Sequence, residues 1–327
     1  MNSQLISLCI PTYNRAEFLE ETLHSITANC RDIPCEIVIS DNASNDNTSE
    51  IVAHFYKELN IHYFRNDTNV GPEKNLCRAI AAASGKYVWL LGDDDPLVNG
   101  ICAHLMNMVQ THPELGYIFV PRELVFTDLS PTPDGIQPAG LNDDLYFEHG
   151  RDLYEAYDGQ IAGLIGFYGC NIIQKKIWQD SFSELNPKLS NWFHVSVILN
   201  AIKDVPCAIA GQVGVQARYG NSPLEGIDSR IWIDYAVPVM RQAIKWGYSK
   251  TLCEQTIRTI FRAHALMYVL EKAQGKRSGN LLTLAKLLNC EKILKWDSVW
   301  MNLSFLPCFM LTPLLWIRTL RRKFRRK

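Results

Sequence analysis

The sequence lacks Cys-x-x-Cys pairs, although it contains ten cysteines in 327 residues. Most of these cysteines lie inside apolar runs, as Cys9, Cys102 and Cys207 do. This distribution argues against a disulfide scaffold and indicates buried free thiols in a reducing cytoplasm. The sequence also lacks a basic segment ahead of its first apolar run, LISLCI, which stops at Pro11. We therefore expect no signal peptide.

The chain has little excess charge of either sign, because its 33 Lys and Arg nearly balance its 34 Asp and Glu. The balance is uneven, since residues 318–327, RTLRRKFRRK, hold seven bases and no acid. The other 317 residues carry 26 bases against 34 acids, a net charge of −8. An acidic body is a poor surface for nucleic acid, so we expect no nucleic-acid partner, whereas a basic segment suits an anionic membrane.

The composition, with 47% hydrophobic residues, is that of a globular protein of two domains or of one domain with an extension. Short β-rich runs alternate with amphipathic stretches over the first 120 residues, which predicts an α/β fold with a mostly parallel sheet between helices. The predicted strands are Leu5–Ile10, Glu36–Ser40, Ile61–Phe64, Tyr87–Leu91 and Tyr117–Val120. The predicted helices are Ala16–Ala28, Asp46–Leu59, Pro72–Ala83 and Leu97–Val109.

The later part of the chain has a weaker pattern. Residues 121–165 contain several prolines and glycines and are predicted to form a long, mobile loop. Residues 166–218 favour further strands and one helix, Asn191–Lys203, and the chain from about residue 228 onward favours helices.

Four polar loops directly follow the first four predicted strands, and they comprise residues 11–15, 41–46, 66–71 and 92–95. The carboxyl ends of parallel strands share one edge of a sheet, which is where α/β proteins bind ligands. The four loops should therefore converge on one site.

Asp93, Asp94 and Asp95 follow the apolar strand YVWLL. Three adjacent acids at the end of a buried strand repel one another, and a bound cation would make them tolerable. Mg²⁺ takes one or two protein carboxylates together with substrate phosphates, which a short acidic motif can supply. The alternative is an acidic turn that caps the helix predicted after Pro96, where acids suit the helix dipole.

Two other loops contain candidate binding residues. Asp41 could accept a hydrogen bond from a nucleobase N–H, or it could form an Asx turn within its Asn- and Ser-rich loop, an alternative that applies strongly to Asn42. Lys74 could direct a positive charge at a phosphate, or it could be an exposed helix lysine.

The motifs PTYNR, DNASNDNT, NVGPEKN and GDDD occur in order between residues 11 and 95. Together they resemble glycosyltransferase family 2, which has the GT-A fold, and the resemblance covers residues 4–110. Within the family the sequence is most similar to bacterial O-antigen transferases of the abequosyltransferase type. The resemblance implies inverting transfer of a hexosyl or deoxyhexosyl group from a nucleoside-diphosphate-sugar, with Mn²⁺ or Mg²⁺.

The resemblance also implies roles for single residues. Thr12 and Asp41 would hold the nucleobase, Asp94 would contact the ribose or the metal, and Asp95 would be a catalytic metal ligand. The remaining residues expected to bind the nucleotide-sugar are Pro11, Tyr13, Arg15, Asn42, Lys74 and Asp93.

An inverting transfer needs a general base that takes the proton of the acceptor hydroxyl. His194 is the catalytic candidate because an unperturbed histidine has a pKa near 6.5. The alternative is a core histidine in an aromatic helix, and Glu184 and Asp180 are weaker candidates for the base.

The predicted domain organisation has a GT-A domain at residues 1–225, with a nucleotide-binding half at 1–120 and an acceptor half at 121–225. A helical extension at 226–298 and a membrane-association tail at 299–327 would follow. Residues 300–317 carry no charge, and prolines at 307 and 313 argue against a spanning helix. A surface anchor at the inner face of the cell membrane, through residues 300–327, would bring the cytoplasmic enzyme to a lipid-linked or oligosaccharide acceptor.

Two other functions compete with a glycosyltransferase. A sugar-1-phosphate nucleotidyltransferase has a related sheet, but it needs a Gly-rich basic loop after the first strand, and PTYNR is not such a loop. A non-catalytic sugar-nucleotide or polysaccharide-binding protein would explain the lack of an acidic base motif.

Overall fold

A computed structural model describes residues 5–31, 33–188, 192–218 and 231–273. The chain divides into two compact units, residues 1–223 and 224–327. The predicted tail at 299–327 and parts of the predicted extension, residues 226–230 and 274–298, lie outside the described residues.

The first unit is built on an eight-stranded sheet whose first four strands are parallel. In spatial order these are β3 (Ile61–Arg65), β2 (Cys35–Asp41), β1 (Ile6–Thr12) and β4 (Tyr87–Leu90). Strands β1, β2 and β4 are almost wholly buried, as expected of parallel strands covered on both faces. The prediction of a parallel α/β sheet from these runs is confirmed.

Helices α1 (Ala16–Cys30), α2 (Thr48–Phe55) and α3 (Pro72–Ala82) connect these strands, as predicted. Helix α4 (Ile101–Thr111) follows β4, but it begins four residues later than the predicted Leu97. Leu97 instead forms an antiparallel bridge with Val215, and Gly100 adopts φ +88 immediately before the helix. Those two features hold the chain out of helical conformation up to Ile101.

The second half of the sheet contains an inserted strand. Strand β9 (Asn171–Gln174) lies between β4 and β5 (Tyr117–Phe119) and is antiparallel to both. Beyond β5 come β10 (Cys207–Ile209), which is parallel to β5, and the edge strand β8 (Leu145–Phe147), which is antiparallel to β10.

The prediction of a long loop at 121–165 was wrong. This segment contains β6 (Arg122–Val125), β7 (Pro131–Gln137), β8, α5 (Gly150–Ala156) and α6 (Ile161–Ile165). A second sheet has the order β11-β6-β7, where β11 is Val215–Arg218. Strand β7 is an exposed edge strand, where prolines are tolerated because no ladder partner needs their missing N–H.

Two further helices of the first unit are α7 (Lys175–Leu185) and α8 (Phe193–Ile202). Helix α8 confirms the helix predicted at Asn191–Lys203. In the second unit, a π-helical turn at Ile231–Ala236 leads into α9 (Val237–Lys245) and α10 (Lys250–Ala273), so the prediction of helices is confirmed over the described residues. None of the helices described within 5–273 is both long and apolar enough to span a membrane.

Candidate active site

The acidic turn, residues Gly92–Asp95, follows β4 and folds back on itself. The N–H of Gly92 donates to Oδ2 of Asp95 over 3.0 Å. A Cβ atom at position 92 would lie 2.5 Å from the same oxygen, so only glycine lets this carboxylate sit here. The turn therefore fixes Asp95 directly beyond the carboxyl end of a buried strand.

The acids of this turn do not cap a helix, because α4 begins at Ile101, six residues after Asp95. The alternative role of a helix cap is thus inconsistent with the structure. The carboxylates instead point into a network formed with β1 and α1.

Arg15 and Thr12, at the end of β1, contact the first two carboxylates. The Thr12 hydroxyl donates to Oδ2 of Asp93 over 2.8 Å. Arg15 Nε lies 3.1 Å from Oδ1 of Asp93, and its guanidinium also donates to Oδ2 of Asp94 over 2.5 Å. Two loops predicted to converge, 11–15 and 92–95, are therefore joined by a bridging arginine.

Arg218, the last residue of β11, reaches the same turn from the second sheet. No motif in the sequence indicates this role. Its guanidinium donates to the main-chain oxygen of Asp94 over 2.8 Å and forms an ion pair with Glu21. The Phe18 ring lies between Arg15 and Arg218, 5.0 Å from the Cζ atom of each. The Arg218 side chain is completely buried, so it anchors the turn as well as adding charge.

Burial makes the two outer carboxylates hard to ionise. Burial and the negative charge of Asp94 raise the pKa of Asp93 to about 7, although the positive charge of Arg15 acts to lower it. Burial also raises the pKa of Asp95 well above its usual value, and the Asp94 and Asp93 charges raise it further, while Arg122 lowers it.

Asp94 and Asp95 fit a divalent cation. They offer oxygen ligands only, which Mg²⁺ and Mn²⁺ prefer. Burial, together with repulsion from Asp94 and Asp93, keeps the pKa of Asp95 high, and a cation beside Asp95 would offset both effects. Arg15 already offsets the charge of Asp93 and Asp94.

Arg122, at the start of β6, is a second residue that the sequence did not reveal. Its guanidinium lies 4.7 Å from the Phe167 ring centroid and donates to Oε1 of Gln137 over 2.9 Å. Its Nε atom is buried without a hydrogen-bond partner, and its charge acts on Asp95. Arg122 thus supplies a second positive charge, besides Arg15, close enough to act on the acidic turn.

Asp41 is buried, with 1% of its surface exposed, and shapes its own loop. Its Oδ1 accepts the N–H of Ser44 over 2.8 Å, and its Oδ2 accepts the Tyr63 hydroxyl over 2.7 Å. Arg65 Nε lies 3.6 Å from the same Oδ2. Asp41 therefore bonds within its own loop, as the alternative supposes, but to the N–H three residues on instead of the two-residue spacing of an Asx turn.

Asn75, in the first turn of α3, joins the loops at 11–15 and 66–71 to the end of β2. Its Nδ2 donates to the main-chain oxygen of Ser40 over 2.7 Å and of Thr12 over 3.3 Å. Its Oδ1 accepts from the Ser40 hydroxyl over 2.7 Å and from Asn66 over 2.8 Å. Asn42 extends this network, because its Oδ1 accepts the N–H of Val70 over 2.8 Å.

The other predicted binding residues lie around this network. Tyr13 and Lys74 are exposed, and Pro11 is partly buried at the end of β1. Gly71 adopts φ +88 directly before α3, which presents Lys74 in the first turn of that helix. Exposed side chains at these positions are accessible to a ligand.

His194 lies apart from the carboxylates, with 1% of its surface exposed. Its Nε2 is 3.1 Å from the main-chain oxygen of Gly166, and its ring packs edge-on against Tyr168 and Phe193. Burial lowers its pKa to about 4. The geometry is that of the core-histidine alternative, and Asp180 and Glu184 contact Lys176 and Asn200 instead of the acidic turn.

Residues 7–136 match the model of the family described as glycosyl transferase family 2. Over 245 residues the chain is 30% identical to an abequosyltransferase of Salmonella typhimurium, covering 71% of this chain and 72% of the relative. The chain belongs to glycosyltransferase family 2. The family assignment made from the four motifs is therefore confirmed, and with it a role in sugar transfer.

A second relative of this family 2 glycosyltransferase matches over about a third of the chain. It is the GalNAc(5)-diNAcBac-PP-undecaprenol β-1,3-glucosyltransferase of Campylobacter jejuni, 36% identical over 105 residues, which are 31% of this chain and 33% of the relative. The structure also resembles S. aureus TarS in complex with UDP-GlcNAc, with a TM-score of 0.59 and 18% identity over 80% of this chain and 72% of TarS. This similarity confirms the GT-A fold.

Proposed function

We propose that the protein is an inverting, metal-dependent transferase that moves a hexosyl or deoxyhexosyl group from a nucleoside-diphosphate-sugar to a hydroxyl of a lipid-linked glycan. The observation that carries the proposal is the acidic turn, in which buried Asp95 and half-buried Asp94 follow strand β4. The glycan acceptor is supported by relatives named as an abequosyltransferase and as a glucosyltransferase of an undecaprenol-linked glycan. The proposed membrane contact through residues 300–327 would bring the enzyme to such an acceptor.

In this proposal Asp94 and Asp95 hold Mn²⁺ or Mg²⁺ against the donor diphosphate. When bound, such an ion acts as a Lewis acid on the leaving diphosphate, whose charge grows in the transition state. Arg122 and Lys74 would add positive charge on either side of the leaving group. Arg15 keeps Asp94 oriented, and Arg218 holds the main chain of the turn.

The nucleoside would lie along Pro11, Thr12 and Tyr13. Tyr13 is the exposed aromatic side chain of this segment and could stack on a base. Asp41 and Asn42 would act mainly by shaping the loop beneath the base, since their polar atoms are engaged by Ser44, Tyr63 and Val70.

Nucleotide binding should depend on a divalent metal. We expect at least one of UDP, GDP, CDP and TDP to stabilise the protein with Mn²⁺ or Mg²⁺, by about 2.7 kcal/mol at one hundred times its Kd. Thermal denaturation with the four nucleotides, each with metal or with a chelator, measures this effect.

A turnover assay separates the competing functions. The proposal predicts that the matching donor and acceptor release free nucleoside diphosphate. Release of pyrophosphate would indicate a nucleotidyltransferase, and binding without any turnover would indicate a sugar-nucleotide-binding protein. Equal binding with metal and with chelator would refute metal dependence.

His194→Gln distinguishes the two interpretations of this histidine. Glutamine can still donate to the Gly166 oxygen, so the fold should be kept. If His194 is the base, kcat should fall by orders of magnitude while donor binding survives. From its burial and its pKa of about 4 we expect kcat to stay within about tenfold.

A further inference from the structure

Three cysteines from separate elements meet at the end of the sheet opposite the acidic turn. Cys30 is the last residue of α1, Cys35 the first of β2, and Cys102 the second of α4. Their three sulfur atoms all lie within 4.8 Å of one another. In the part of the chain that the structure describes, this is the one group of three or more His, Cys, Asp or Glu side chains so close together.

The cluster is remote from the proposed donor site. Cys35 begins β2 and Asp41 ends it, so the strand separates them by six residues, or about 20 Å at the usual rise per residue. The thiols are also nearly closed to solvent, with 5%, 5% and 2% of the three residues exposed. They therefore take no part in binding the nucleotide-sugar.

The packing of the thiols is tighter than a hydrophobic core requires. The sulfur atoms of Cys30 and Cys102 are 2.9 Å apart, although each thiol is only a weak hydrogen-bond donor. Three sulfur atoms held this close, on three different elements, are the kind of ligand set that a soft metal ion binds.

We propose that Cys30, Cys35 and Cys102 form a binding site for a thiophilic metal ion of the Zn²⁺ or Cu⁺ type, which ties α1, β2 and α4 together. Around a metal with metal–sulfur distances of about 2.3 Å, the sulfur atoms lie about 3.8–4.0 Å apart. The Cys30 and Cys102 sulfur atoms, 2.9 Å apart, would need to separate by about 1 Å, and all three already lie within 4.8 Å of one another, so side-chain rotations would complete the site. Its sulfur ligands select against the Mg²⁺ and Mn²⁺ that suit the carboxylates of the acidic turn.

Cd²⁺ is a suitable probe, because thiolate–cadmium bonds absorb in the ultraviolet. We expect the full chain, reduced and freed of metal, to develop this absorbance up to one equivalent of Cd²⁺ and to lose it when Zn²⁺ displaces the probe. Zn²⁺ at one hundred times its Kd should raise the thermal midpoint by roughly 5 °C or more.

Two variants should abolish the one-equivalent absorbance, Cys35→Ser and Cys102→Ser. Cys77→Ser is the matched control, because Cys77 lies on α3 outside the cluster, and it should keep the signal. Unchanged stoichiometry in Cys102→Ser, or no absorbance in the unmodified chain, would overturn the proposal.

Alkylation provides a second measurement that needs no variant to fold. In moderate urea, where transient opening of the fold exposes the buried thiols, Zn²⁺ should slow the reaction of Cys30, Cys35 and Cys102 with iodoacetamide but not that of Cys77, as mapped by mass spectrometry. Equal alkylation rates of the three cysteines with and without Zn²⁺ under these conditions would refute the site. Neither result bears on nucleotide binding, so this proposal and the proposed function can fail separately.

Discussion

Asp95→Asn is expected to abolish sugar transfer and at the same time to stabilise the folded protein. The asparagine keeps the shape of the side chain and can still accept the N–H of Gly92. It removes the charge that would hold the metal, so we expect kcat to fall by at least ~10³-fold, as when a charge-stabilising group is removed from other enzymes. The rate of nucleoside diphosphate release measures this loss.

The gain in stability follows from the raised pKa of Asp95. The folded protein retains this proton at pH values where the unfolded chain has released it. The free energy of unfolding therefore falls as the pH rises above the unfolded pKa. Asparagine cannot ionise and therefore removes this loss. The variant should have a higher free energy of unfolding than the parent in urea denaturation at pH 8, and the difference should be smaller at pH 4.

Asp93→Asn provides a comparison with a defined pH range. The pKa of Asp93 is about 7 in the fold and 3.8 ordinarily. Its contribution to the pH dependence of the free energy of unfolding should therefore lie between about pH 4 and pH 7. Asp67→Asn, which changes an exposed carboxylate, should leave the pH dependence as it is. An Asp95→Asn variant that is less stable than the parent at pH 8 would contradict the electrostatic account of the acidic turn.

Asn75→Ala is expected to destabilise the protein by ~2–4 kcal/mol, because it removes four hydrogen bonds between buried groups, worth about 0.5–1.5 kcal/mol each. The groups that lose a partner are the main-chain oxygens of Ser40 and Thr12, the Ser40 hydroxyl and the Asn66 amide. Urea denaturation measures the change in the free energy of unfolding.

The neighbouring Lys74→Ala is the control for this effect. Lys74 is exposed on the same helix turn, so its removal should change stability by less than about 0.5 kcal/mol. Its effect should instead be on donor affinity, if it contacts a phosphate as proposed. Equal destabilisation by the two variants would show that Asn75 does not organise the loops.

The donor half of the fold could be predicted from the sequence because its elements have strong local patterns. Strand β2 has the β-branched run Ile37–Ile39 at its centre, and Gly71 followed by Pro72 defines the start of α3. The convergence of loops 11–15 and 92–95 then followed from parallel topology, and the contacts of Thr12 and Arg15 with Asp93 bear it out.

The other half could not be predicted because its strands are short and pair over long distances. Strands β8 and β10 have three residues each, too few to show periodicity. Arg122 and Arg218 lie on β6 and β11 of the second sheet, so their approach to the acidic turn depends on pairings that no local pattern reveals. His194 lies on a well-predicted helix, but only the fold shows that this face is buried.

The position of β9 in the sheet has a consequence for synthesis on the ribosome. Strand β4 ends at Leu90, and its antiparallel neighbour begins only at Asn171, so about eighty residues must be translated before that edge is covered. At about 5–20 residues per second the nascent chain exposes an apolar strand edge for roughly 4 to 16 s. Chaperones that shield such edges should therefore matter most for this enzyme while the segment between β4 and β9 is being made.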